Sequence, residues 1–272
     1  MSDDGDINLR HWDERAGFHL DTPMYREFVA RLQAGHDALL PIDDRVLGDV
    51  TGLHVLHAQC HVGTDTLSLV RRGAAVVGVD FSPRAIAQAQ ALSASLGLPA
   101  RFVVGDVLDL PATLGGPFDL VYTSYGVLCW LGDLPRWARQ LAAQLRPGGR
   151  LVVIDSHPLS TAILPGGIGH DALTLQHRYL GDGTPERWRA AGSYADPSCA
   201  TVHDETIEWD HSLGDVVNAI AAAGLRVESL VEHPETFYGF HPALQRGDDR
   251  LWRLPPPLHG RFPLTFSLVA RR

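Results

Sequence analysis

The sequence predicts an α/β protein built on a doubly wound, mostly parallel sheet, and three observations carry that prediction. From Leu53 onward, apolar strand-like runs alternate with amphipathic helical segments. Runs such as AAVVGVD, FDLVYTS and LVVID are nearly continuous, as parallel strands covered on both faces require. Residues 54–80 then read as strand, loop, amphipathic helix and second strand, ending on Asp80, the first half of a nucleotide-binding βαβ unit.

Residues 1–6 are acidic and polar and are expected to be disordered. Thr22 caps a helix with Pro23 at its first position. Tyr25, Phe28, Val29, Leu32, His36 and Leu39 share one face, and Pro41 ends it. This piece, residues 1–45, reads as a helical lid. Strands are expected at 53–58, 75–80, 101–105, 118–124 and 149–155, within a core spanning 46–156. Between them, Ser82, Pro83 and Gly97 bracket a helix over 83–96, and a Leu134, Trp137, Ala138, Leu141, Leu145 stripe marks another over 133–145. Residues 157–210 are rich in Gly and Pro and too long for a bare connection. They read as a β-rich cap inserted after the fifth strand, with strand-like runs near 175–180 and 201–208. A helix over 213–223 and strands at 225–232 and 262–270 complete the core within 211–272.

Composition narrows the function. With 272 residues and 45% hydrophobic content the chain can bury a sizeable core. A net charge of −9 with no clustered Lys and Arg argues against a nucleic-acid face. No apolar run approaches the ~20 residues that span a membrane, and the N-terminus is unlike a signal peptide. Three cysteines, at 60, 129 and 199, lack pair spacing and read as reduced thiols. A cytoplasmic protein acting on a small molecule is expected; a homodimer is one assembly open to it.

The loop Ala58, Gln59, Cys60, His61, Val62, Gly63 carries one glycine where a dinucleotide fingerprint has three. Its helix N-terminus still offers backbone N–H groups. Asp80 is placed to accept hydrogen bonds from ribose hydroxyls. Gly105, Asp106 and Val107 close the third strand, where an acid can meet an adenine amino group and an apolar side chain can pack on the ring. A plain turn would look similar.

The order LHVLHAQCHVG, VVGVDFSPRAI, FVVGDV, FDLVYTSYGVLCWL, LRPGGRLVVID resembles the class I S-adenosylmethionine-dependent methyltransferases, in their small-molecule branch, over residues 45–156 and the final helix and two strands. The resemblance implies a seven-stranded Rossmann-like methyltransferase sheet with a reversed last strand, capped by the N-terminal helices and the insertion. It implies S-adenosylmethionine as cofactor. Loop 58–63 would hold the methionine part and ribose. Asp80, with Phe81 and Ser82 beside it, would serve ribose and adenine, Gly105, Asp106 and Val107 the adenine, and Ser124 and Tyr125 the sulfonium. The first motif departs from the pattern: His57 stands where the family usually has an acid, and Gln59 and His61 stand where it has glycines. A variant Gln-Cys-His-x-Gly loop of this kind predicts that Gln59 and His61 project toward the methionyl end.

His57, Cys60 and His61 do not have the geometry of a tetrahedral metal site, and no metal is expected. Trp12 and Tyr25 of the lid are candidates to reach the methionyl end, and Trp130 follows the fourth strand. His157, just after the fifth strand, His211, before the last helix, and Tyr125 are the catalytic candidates, a neutral imidazole being a suitable general base near pH 7. His233, Tyr238 and His241 are further pocket candidates. The leading expectation is methyl transfer to O or N of a small neutral or cationic acceptor. The alternatives are non-methyl chemistry with the same cofactor, such as cyclisation, and a non-catalytic cofactor-binding regulator.

Overall fold

The structure, a computed structural model, describes residues 3–111, 114–163, 167 and 173–272, and for residues 3–5 the backbone alone. Seven strands form one sheet: β1 (His54–Ala58), β2 (Ala75–Asp80), β3 (Arg101–Val104), β4 (Phe118–Ser124), β5 (Leu145–Ser156), β8 (Arg226–His233) and β12 (Thr265–Arg271). Their order is β3-β2-β1-β4-β5-β12-β8. The first five are parallel to their neighbours, and β12 runs antiparallel to both β5 and β8. This is the doubly wound, seven-stranded sheet with a reversed last strand.

Each face buries a separate apolar layer. On one side Leu56, Val121, Leu151, Val153 and Phe266 pack with Trp137 and Leu141 of α6 (Leu134–Gln144) and Val216 and Ile220 of α8 (Leu213–Ala222). On the other, Val55, Tyr122, Val152 and Ile154 meet Ile42 and Leu47 of α3 (Pro41–Leu47) and Leu69 of α4 (Thr64–Arg71). Ile86, Ala89 and Leu92 of α5 (Pro83–Leu96) close over Cys60 and Phe102. Alternate strand residues thus feed opposite layers, as the pleat requires. Ser82 caps α5 as the sequence predicts, its hydroxyl accepting from Ala85 N–H at 3.0 Å.

Several expectations are corrected. The N-terminus is not disordered from residue 3: α1 runs Asp3–His19. Its inner face is polar, with Asn8, His11, Arg15 and His19 buried, so apolar periodicity does not reveal it. The following helix, α2 (Pro23–Gln33), stops six residues short of Leu39, and Pro41 opens α3 rather than ending a longer helix. In the insertion, 175–180 is not a strand. The two-stranded piece pairs β6 (Glu186–Arg189) with β7 (Glu205–Glu208), after a short α7 (Pro158–Ile163). Residues 235–253, read as pocket lining at most, form a three-stranded sheet of β9 (Glu235–Thr236), β10 (Gln245–Arg246) and β11 (Trp252–Arg253). The Leu-Arg-Pro-Gly-Gly turn is a bulge in β5, with Phe118 facing Leu145 and Leu120 already facing Arg150.

The β6–β7 hairpin is fastened to α1. Asn8 and Ile207 exchange hydrogen bonds in both directions. Arg15, 2% exposed, donates to the carbonyls of His11, Ala190, Gly192 and His203. Glu14 accepts from the amides of Val202 and His203.

Candidate active site

The chain reverses its winding between β1 and β4, and a crevice at the carboxyl ends of adjacent strands follows from that topology. A cleft of about 720 Å³ occupies it. Gln59, Cys60, His61, Asp80, Phe81, Gly105, Asp106, Val107, Ser124, Tyr125 and Trp12 all line it, so the structure gathers most of the residues singled out from sequence.

The loop after β1 is tightly held. Cys60 N–H donates to Val79 O, and the His61 amide donates to Asp80 Oδ2 at 2.8 Å. The other Asp80 oxygen accepts from Ser82 N–H at 3.0 Å. Burial raises the Asp80 carboxyl to about 6, against the pull of these amides. Gln59 and His61 adopt positive φ, 57° and 48°, as their glycine counterparts would. Their side chains, however, are committed within the protein. Gln59 Nε2 donates to Val127 O at 3.2 Å and its Oε1 accepts from Thr123 Oγ1 at 3.4 Å. His61 Nε2 lies 2.7 Å from His19 Nδ1, and His19 Nε2 lies 2.6 Å from Ser193 Oγ. Burial depresses both imidazoles, His61 to about 4 and His19 to about 2, so both are neutral near pH 7. A chain of ring nitrogens thus links the loop to α1 and the insertion.

Three of the cofactor-binding candidates do not line the cleft. Ala58 is fully buried in the sheet. Gly63 packs against Ala89 of α5 and Phe102 of β3. Ser82 is a helix cap whose hydroxyl donates to Asp13 Oδ1. Asp106 does face the cleft, and one carboxylate oxygen accepts from Leu108 N–H at 2.8 Å.

A second chamber of about 550 Å³ lies beyond the first. The two share a wall of Trp12, Tyr125, Trp130, Tyr194, Trp209 and Phe237. Trp12 stands edge-on to Trp130 at 5.2 Å and to His61 at 5.6 Å. Tyr25 of α2 and Tyr194 of the insertion join their hydroxyls at 2.5 Å, closing the lid side. The far part of the chamber presents Tyr179, Trp188, Tyr238 and Phe240 with Glu186, Glu208 and Asp210.

The catalytic candidates separate. His157 lines neither chamber. It is buried, lies 2.8 Å from Glu232 and accepts from the Leu159 amide through Nδ1, which makes it a strand-end brace. His211 lines the second chamber. Its Nε2 sits 2.7 Å from Leu131 O, and a carbonyl can only accept, so Nε2 carries the proton and Nδ1 the lone pair. Tyr125 lines both chambers, but its hydroxyl donates to Asp43 Oδ2 at 3.2 Å. His233 pairs with Ser267 Oγ and, like His241, lines neither chamber.

Sequence reasoning missed His11, His19, Asp43, Asp65, Tyr194 and Trp209. The first two ride on the unseen α1. Asp65, directly after Gly63-Thr64 at the start of α4, carried a signal: an acid in the first turn beside the cofactor loop.

Residues 55–149 match the family model of a methyltransferase domain. Over 100 residues the chain is 38% identical to a demethylmenaquinone methyltransferase of Thermus thermophilus, covering 35% of this chain and 44% of that one. The curated relatives are matched over about half their length. An S-adenosylmethionine-dependent methyltransferase from Mesorhizobium loti shares the fold at a TM-score of 0.61 and 22% identity, over 85% of this chain and 96% of that one. So does magnesium protoporphyrin IX methyltransferase from Synechocystis with bound S-adenosylhomocysteine, at 0.55 and 18%, over 99% and 100%. The family match thus makes residues 55–149 a methyltransferase domain, and strand order and cleft give the chain the fold of the S-adenosylmethionine-dependent methyltransferases of known structure.

Proposed function

We propose that the chain transfers a methyl group from S-adenosylmethionine to O or N of a small acceptor held in the second chamber. The observation that carries this reading is the pair of chambers meeting at one aromatic wall at the carboxyl ends of β4 and β5. The residues fit the cofactor. Asp80 would take the ribose hydroxyls, Val107 and Phe81 the adenine faces, Asp106 the adenine edge, and Gln59, His61, Ser124 and Tyr125 the aminoacyl end. The cofactor supplies an activated methyl, so the protein's task is alignment and, where the acceptor is protonated, removal of one proton.

His211 is the residue we assign to that proton. Its tautomer is fixed by Leu131 O, and its lone-pair nitrogen is unclaimed by that bond. Of the chamber's four carboxylates, Asp155 is held by backbone amides and Glu186 and Asp210 face Arg178, which leaves Glu208 and the aromatic lining to favour a neutral or cationic acceptor. Its two arginines are already committed, Arg15 to four carbonyls and Arg178 to Asp182 and Glu186.

Incubation with S-adenosylmethionine and a panel of phenols, amines and carboxylates, read by mass analysis, tests the reading. Methylated product with S-adenosylhomocysteine supports it. Methylthioadenosine as the by-product would replace it with transfer of the aminocarboxypropyl arm. His211→Asn should lower kcat ~100-fold or more toward a phenol and leave S-adenosylhomocysteine affinity unchanged.

A further inference from the structure

One arm of the first cleft is lined by Ala38, Leu40, Asp43, His57, Thr64, Asp65, Tyr125 and Phe237, and it is unusually acidic for a buried place. Asp43 of α3 is 1% exposed. Its carboxylate accepts from Tyr122 Oη at 2.6 Å, Tyr125 Oη at 3.2 Å and Leu40 N–H at 2.7 Å. Asp65 of α4 accepts from Ser124 Oγ at 3.3 Å. Among the described residues neither acid has an ion-pair partner within salt-bridge distance, and three arginines of the neighbouring elements are engaged elsewhere. Arg250 donates to the carbonyls of Ala38 and Leu39, Arg72 pairs with Asp37 and Asp44, and Arg45 pairs with Glu235.

A second observation points to a ligand. His57, lining the same arm, is 2% exposed, and its Nδ1 meets Thr66 Oγ1 at 2.8 Å while its Nε2 has no protein partner. A buried imidazole nitrogen without a partner costs about 1–3 kcal/mol, and two unpaired buried carboxylates are costlier still. Something polar and cationic would relieve all three.

We propose that Asp43 and Asp65 form an ammonium subsite that takes the α-amino group of the cofactor's aminoacyl arm. This rests on the cofactor reading above. In this chain the negative charge reaches the arm from α3 and α4, while β1 contributes the neutral His57.

In the free protein the pair is protonated more readily than ordinary carboxyls. Burial raises Asp43, with the charge of Asp65 adding to it, and burial raises Asp65 against the opposing Ser124 bond and Arg250 charge, with Asp37 adding a little. Tyr122, Tyr125 and His57 face the pair as neutral groups. An arriving ammonium favours the ionised pair, so the proton leaves to solvent as the cofactor binds.

Calorimetric titration at pH 6.5 in two buffers of different ionisation enthalpy counts protons released on binding. With S-adenosylhomocysteine the parent protein should release a substantial fraction of one proton. Methylthioadenosine lacks the aminoacyl arm and reaches only the ribose and adenine sites, so it should release clearly less, the part that Asp80 gives up. Asp65→Asn should weaken S-adenosylhomocysteine roughly ten- to a hundredfold and leave methylthioadenosine affinity unchanged. Equal proton release by the two nucleosides overturns the subsite while leaving cofactor binding intact, as does equal weakening of both by the variant. Failure of the folded parent to bind either nucleoside overturns the cofactor reading and the subsite with it. The comparison of nucleosides on the parent stands even if the variant does not fold.

Discussion

Replacing Gly63 by Ala probes how firmly the cofactor loop is clamped. Gly63 is the N-cap of α4, at φ 79° and ψ 13°. Its N–H donates to Cys60 O and its carbonyl accepts from Leu67 N–H, both at 2.9 Å. A Cβ there would lie 2.9 Å from Ala89 Cβ on α5 and 2.9 Å from Phe102 Cε1 on β3. Two costs add. The left-handed conformation costs an L-residue about 1–2 kcal/mol, and forcing a methyl into filled space costs about 1–3 kcal/mol. The sum, ~2–5 kcal/mol, corresponds to a drop in Tm of roughly 4–20 °C for a chain of this size. Gly97 is the internal control. It has φ 62° with nothing within 4 Å of where a methyl would sit, so Gly97→Ala carries the conformational cost alone. Urea unfolding followed by circular dichroism gives both values on one scale. A Gly63→Ala loss no larger than that of Gly97→Ala refutes the claim that α5 and β3 pin this loop.

Three more outcomes are expected. Asp80→Ala strips the partner from the amides of His61 and Ser82, so it should destabilise the protein by about 1–3 kcal/mol and weaken S-adenosylhomocysteine more than tenfold by calorimetry. Arg15→Ala releases four carbonyls, and hydrogen exchange should quicken ~10-fold or more over 186–208 while β1, β4 and β5 keep their protection. His57, lowered to about 3 by burial, stays neutral in the fold while the unfolded chain gains a proton below pH 6.5. Its stabilisation is therefore complete above pH 6.5 and lost as pH falls toward 3, by up to ~1.4 kcal/mol per pH unit. His57→Phe, which keeps the stacking on Tyr122, should flatten the pH dependence of the urea midpoint between pH 6.5 and 5 by that amount.

The sheet was legible because burial alone dictates its strands: Val, Ile and Leu runs leave no other arrangement, and β4 and α5 begin and end where their patterns do. The cleft was legible as far as its residues follow strand ends, from Asp80 to Tyr125. The rest depends on contacts distant in sequence. Nothing in DDGDINLRHWDERAGFH announces a helix whose inner face is Asn, His and Arg, because the groups that satisfy it lie near residue 200. His157 follows a core strand as a catalytic residue would, yet the antiparallel β12 and its neighbour β8 draw it toward Glu232 and away from both chambers. Gln59 and His61 stand out as unusual in the sequence, but their partners, Thr123, Val127 and His19, cannot be read from spacing.

The fastening of α1 to the β6–β7 hairpin sets an order of events during synthesis. Asn8 waits for Ile207, 199 positions later. At ribosomal speeds of about 5–20 residues per second, that interval is roughly 10–40 s. Throughout it Asn8 lacks the Ile207 backbone that satisfies it, while His19 can already meet His61 and the strands from β1 to β5 can pair. An early segment is therefore completed after the strands that follow it, and the cleft gains its roof only once residue 207 has emerged.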